Sequence, residues 1–214
     1  MGGTFVDVFP IISNLWFLLP FYRAFKKGRY IRMVFYLGIV INSSIYHTCN
    51  GFSRACFINA DFHRKMDFWF AMMIIPLDSL YIIFFDREDT VPLEIFTIFF
   101  YGLATLYVQQ VVRDSIFVQL FLTASSLFII LAYWTWYYMK NKDLPPYDWG
   151  NMFLAVLLTS VACMLYVAEM ADHYSYWSIH SLWHIIAAYA QYFLLDIRPG
   201  LPTKNTPGLY DKLE

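Results

Sequence analysis

Ser43 and His47 stand four residues apart, as do His180 and His184, and Asp67 falls between the two pairs. Residues at that spacing share one face of a helix. Three neutral imidazoles around an open fourth position are the usual makings of a catalytic zinc site, with Zn–N bonds of ~2.0–2.1 Å. Water at such a position has its pKa lowered to ~7, and Asp67 is then the base that takes its proton. Ser43, one turn from His47, would orient that water or donate to an oxyanion. A blander account makes these histidines interfacial residues, bonded to backbone or to lipid headgroups. For a single histidine the bland account is the better one. For His47, His180 and His184 together, with Asp67 and Ser43 alongside, the metal account is.

The elements that must position these residues are membrane spans. The 214-residue chain is 59% hydrophobic, 21% aromatic and only 14% charged. Soluble domains carry about 25% charged and about 45–50% apolar residues. With a mean hydropathy of +0.48, too few polar groups remain to cover a soluble surface. That excludes a disordered chain, a disulfide-rich secreted scaffold and a cytosolic enzyme. A net charge of −1 without a long basic run also excludes nucleic acid as a partner, since a basic stripe supplies most of that affinity.

A crossing helix needs ~20 mostly apolar residues, with ~17 as a lower bound. Seven runs qualify, at about 5–21, 31–47, 66–85, 93–111, 115–139, 151–169 and 176–195. The linkers between them are short and hold the Gly, Pro and charged residues, and the ~10-residue alternation of a β-barrel is absent. The expected fold is therefore all-α, a seven-transmembrane helix bundle forming one domain over residues 1–214. Asp7, Pro10 and Asn14 make the first run too polar for a cleavable signal peptide.

Of the 15 Lys and Arg residues, eleven fall on one side of this topology and four on the other. Five of the eleven, Arg23, Lys26, Lys27, Arg29 and Arg32, belong to the first linker. The excess marks the cytoplasmic side, so the N-terminus is expected outside and the C-terminus in the cytoplasm. His47 then ends the second span on the outer side, where Asp67, His180 and His184 begin the third and seventh. All four reach the same depth as Ser43. Cys49 and Cys56 flank the outer linker, an oxidising compartment in which a disulfide is expected. Cys163 reads as a small packing residue within the sixth span. His63 and His173 read as solvated loop residues. Asp78, about three turns beyond Asp67, either lines a cavity or pairs with a polar group such as Gln109. Trp134, Trp136, Tyr137 and Tyr138 read as an interfacial belt.

Ser43-x-x-x-His47, Asp67 after the next linker, and His180-Ser-Leu-Trp-His184 resemble the three-part signature of the CREST superfamily. This superfamily contains seven-span alkaline ceramidases, adiponectin and progestin receptors, and a GPI-directed phospholipase. Tyr46-His47-Thr48-Cys49-Asn50-Gly51, with Cys56-Phe57, is most similar to its myomaker branch. The resemblance implies a plasma-membrane protein reached through the secretory pathway, acting in myoblast fusion at hemifusion of the outer leaflets. It implies zinc on His47, His180 and His184, and the Cys49–Cys56 disulfide agrees with it. The expected partners are membrane lipids, a second copy of the chain and a small fusogenic protein. The alternative activity is zinc-dependent hydrolysis of a lipid ester or amide at the outer leaflet, with Asp67 and Ser43 as catalytic residues.

Overall fold

The computed structural model describes residues 8–51, 59–84, 90–111, 116–171 and 176–198, apart from the side chains of 109–111, 116–120, 169–171 and 176. Its elements are α1 (Val8–Ser13), a 3-10 turn (Asn14–Phe17), α2 (Leu18–Lys26), α3 (Tyr30–Gly51) and α4 (Ala60–Ile83), followed by α5 (Val91–Val111), α6 (Ile116–Asn141), α7 (Trp149–Ala171) and α8 (Tyr176–Leu194). The first three run on as one segment, which makes seven helical segments, and the described residues contain no strand. These segments overlap the seven apolar runs. Four stretches, Val8–Lys26, Ala60–Ile83, Val91–Val108 and Trp149–Ala168, are long and apolar enough to cross a membrane by length and composition.

Local chemistry explains the breaks. Pro20 has no N–H to give the Trp16 carbonyl, and its ring crowds that carbonyl, so the helix tightens to 3-10 over Asn14–Phe17. α2 stops at Gly28, whose φ of 67° costs a glycine little. The Arg29 amide bonds the Ala24 carbonyl at 2.8 Å and the Gly28 amide bonds the Phe25 carbonyl at 3.0 Å. Those are the two bonds of a Schellman motif. α4 begins at the Asn59 cap, whose side chain accepts from the Asp61 amide at 2.9 Å, and Asp61 complements the helix dipole.

α3 packs along α4 and α7 along α8, while the first segment lies against both α3 and α8. The buried positions of α3 include Arg32, Tyr36, Ile39, Ser43 and His47, three or four apart, so one face carries them all. On α8 the matching row is His180, His184 and Ala188. Between these rows lies a core of Phe17, Phe35, Tyr36, Ile39, Met73, Ile74 and Leu77. Gly38 permits the close approach of α3 and α4, because a Cβ there would run into the Phe70 ring. Phe35 meets Phe70 edge-on, with centroids 5.4 Å apart. The outward faces carry large exposed apolar side chains, among them Phe99, Phe128 and Phe153.

Several residues depart from their reading in the sequence. Arg32, counted with the first linker, and Arg198, one of the eleven cations on the cytoplasmic side, are buried. Cys163 is exposed on α7 and free, because its helix turns it away from α8 rather than into the packed core. Trp136 and Tyr138 are exposed as a belt would be, but Trp134 packs on Tyr147 and Trp149. The chain from 195 to 198 tucks under the end of α4, with Leu195 and Ile197 fully buried.

Candidate metal centre

His47 lies near the end of α3, and His180 and His184 lie in the first half of α8. The two helices bring them together at the end of the molecule where α1 begins, here called the head end. Ring centroids are 4.7 Å apart for His47 and His180, 5.7 Å for His47 and His184, and 4.4 Å for His180 and His184. One ligand nitrogen from each lies within 4.8 Å of the others, and the Nε2 atoms of His47 and His180 are 3.0 Å apart. Tetrahedral zinc with ~2.0–2.1 Å bonds separates its nitrogens by ~3.4 Å. The three residues therefore stand close to the spacing an ion requires.

Their surroundings fit the same purpose. All three imidazoles are buried, and buried polar atoms are nearly always hydrogen-bonded. Yet His47 Nδ1 has no hydrogen-bond partner among the described residues. His184 Nδ1 lies 2.9 Å from Ser13 Oγ, which leaves Nε2 as its free nitrogen. An edge contact from Phe17 and a tilted one from Trp183 hold the His184 ring. An all-imidazole donor set suits zinc, copper, iron or nickel. An ion held there would supply a Lewis acid.

Asp67, in the second turn of α4, reaches Ser43 on α3. The pair falls short of a formed hydrogen bond, since Ser43 Oγ is buried without a hydrogen-bond partner among the described residues. A hydroxyl without a hydrogen-bond partner among the described residues thus sits one turn from His47, with the Asp67 carboxylate of α4 beside it. His63 is a correction: it lies in α4, is buried, and places Nδ1 3.0 Å from Asn42 Oδ1. Helix α4 starts earlier than the apolar run because its first turns are polar, so His63 faces α3 instead of solvent. Cys49 is buried at the end of α3. Cys56 and His173 fall outside the described residues.

Asp78 has different partners from those considered in the sequence. Arg32 donates to its Oδ1 at 2.5 Å and Gln191 to its Oδ2 at 2.8 Å. Tyr36 donates to Gln191 Oε1 at 2.9 Å. Arg32 also donates to the Leu77 carbonyl. The Gln109 side chain is outside the described residues. Sequence reasoning missed Ser13, Arg32 and Gln191. Arg32 and Gln191 were legible in principle as polar residues on the rows of His47 and His184; Ser13 carried no such signal.

Residues 4–185 match the family described as "Protein of unknown function (DUF3522)", a stretch that includes His47, Asp67, His180 and His184. Transmembrane protein 8B from Bos taurus, Homo sapiens and Mus musculus is in each case 25% identical over 195 residues, covering 87% of this chain. The chain spans 40% of the length of these curated relatives. With 85% of its length inside one family and its helices apolar on their outward faces, the chain is a multi-pass membrane protein belonging to the DUF3522 family.

Proposed function

We propose that the chain is a seven-span plasma-membrane protein, N-terminus outside, whose His47, His180 and His184 hold zinc on the extracellular side and which promotes cell–cell fusion at the outer-leaflet step. The observation that carries the metal is the convergence of three buried imidazoles from α3 and α8 within 4.8 Å. The fusion activity rests on the likeness of Tyr46–Gly51 and His180–His184 to the myomaker branch. In this reading the three side chains clamp α3 to α8, and a Cys49–Cys56 disulfide fixes the same end of α3. Membrane lipids, a second copy and a small fusogenic protein are the partners.

A second reading is favoured by one observation, the Asp67 carboxylate beside an unbonded Ser43 hydroxyl. A clamp needs neither group. In a lipid hydrolase Asp67 would accept a proton and Ser43 would donate to the developing oxyanion.

Elemental analysis and fusion separate the readings. Wild type, the His47/His180/His184 triple alanine and Asp67→Asn are purified for metal content and expressed in fibroblasts mixed with fusion-competent muscle cells. Stoichiometric zinc, lost in the triple alanine along with fusion, with fusion unchanged by Asp67→Asn, is the expected result. Fusion that survives the triple alanine sinks the clamp. Fusion lost in Asp67→Asn at normal surface level and metal content transfers the function to lipid hydrolysis.

A further inference from the structure

We propose that Ser13, on the first helical segment, is a positioning residue for the metal centre: it fixes His184 in the tautomer that turns a bare Nε2 toward His47 and His180. The inference rests on the reading of these histidines as metal ligands.

The argument is a count of protons. Ser13 Oγ donates its single hydrogen to the Pro10 carbonyl at 2.9 Å. The same oxygen lies 2.9 Å from His184 Nδ1. A hydroxyl has one hydrogen and two lone pairs. With the hydrogen committed to Pro10, Ser13 can only accept, so His184 Nδ1 carries a proton and Nε2 is left with its lone pair. Ser13 and His184 are 3% and 1% exposed, so water does not compete for the bond.

The backbone holds this relay in place. Ser13 is the last residue of α1 and the first to feel the 3-10 turn that Pro20 forces one turn later. Phe17, at the other end of the turn, sets its ring against His184 at 6.3 Å. The first segment thus grips the third ligand at two points while packing on both histidine-bearing helices. Partners of this kind on a metal-ligating histidine are worth ~10–100-fold in metal affinity.

The test uses the full chain in detergent micelles with ¹⁵N-labelled histidine. Long-range ¹H–¹⁵N correlation on the metal-free protein reads the His184 tautomer, and Co²⁺ titration followed by ligand-field absorption reads affinity and geometry. The proposal expects Nδ1–H at His184 in wild type and loss of that preference in Ser13→Ala, with Co²⁺ binding weakened ~10–100-fold. Ser13→Thr restores both, and Pro10→Ala, which keeps the carbonyl, changes neither. An Nε2–H tautomer in wild type overturns the proposal without any variant, and so does Ser13→Ala with unaltered tautomer and affinity. A wild type that holds the Nδ1–H tautomer but binds no Co²⁺ defeats the metal reading alone and leaves the grip of Ser13 on His184 standing.

Discussion

Two polar clusters lie on the same helix faces, and they are finished differently. At the head end, His47 Nδ1 and Ser43 Oγ are buried without hydrogen-bond partners among the described residues. About 22 Å along α3, at ~1.5 Å per residue, Arg32 and Asp78 form a cluster with Gln191 and Tyr36 in which both carboxylate oxygens have donors. The guanidinium of Arg32 sits 4.6 Å from the Tyr81 ring centroid, and that of Arg198 sits 3.9 Å from it. This network, closed except for the unpartnered Nε of Arg32, ties α3, α4 and α8 together. The other, made from the same helices, leaves His47 Nδ1 and Ser43 Oγ without partners among the described residues. On the function proposed above, the contrast gives structure to one end and ligand binding to the other, and it can be attacked from both sides.

The largest effect belongs to the closed cluster. Arg32→Leu leaves the Asp78 carboxylate without its cation in a buried position, and losing one partner of such a pair costs ~3–5 kcal/mol. The unfolding free energy in detergent should fall by that amount. Arg32→Leu with Asp78→Leu should recover most of it, because the isolated charge has gone. A single mutant as stable as wild type would mean that this cluster does not hold the helices.

The open cluster should behave in the opposite way. His184→Ala removes an imidazole with no ion pair, and its main consequence is loss of ligand linkage. Zinc at about 100 times its Kd should stabilise wild type by ~2.7 kcal/mol, measured as a rise in Tm that chelator reverses. His184→Ala should show no rise. A Tm that ignores zinc in wild type would close the gap between the two clusters and remove the case for a metal.

What the sequence revealed follows the reach of its signals. The apolar runs and the i, i+4 pairs are local, so the seven segments and the faces of His47 and His184 could be read directly. Alternating chain direction then put the histidines at one end. Ser13 and His184 are 171 positions apart, and no local spacing joins them. Arg32 looked like one more cation in a basic linker, since nothing in Arg29-Tyr30-Ile31-Arg32 says where α3 begins. His63 was misplaced for a related reason. The polar first turns of α4 resemble a loop until the Asn59 cap is seen to start a helix.

Packing between the clusters supplies a smaller test. Gly38 has the Phe70 ring against it, midway along α3. Gly38→Ala must move that ring or part the helices, and such overpacking costs ~1–3 kcal/mol. Denaturant unfolding should show the loss with zinc affinity reduced as well, because α3 carries His47. Stability lost with affinity unchanged would show that the metal centre does not depend on the α3–α4 contact.

The smallest effect sits beyond the closed cluster, where Asp196 follows α8. Arg23 bonds it through two nitrogens at 2.6–3.0 Å, and Lys27 approaches to 2.5 Å while donating to the Leu195 carbonyl. Burial pushes this carboxyl upward, but the hydrogen bonds from Arg23 and Lys27 outweigh it and hold the group below the ordinary aspartate range. A carboxylate depressed in the folded state adds stability above its unfolded pKa of ~3.9 and loses it as pH falls through the folded value. Because Arg23 is partly exposed, water screens the pair, and the contribution stays under about 1 kcal/mol. Asp196→Asn should therefore be slightly less stable than wild type from neutral pH down to about 4. The two unfolding curves should converge below that. A difference that persisted at lower pH would trace to packing of the tail under α4 and not to charge.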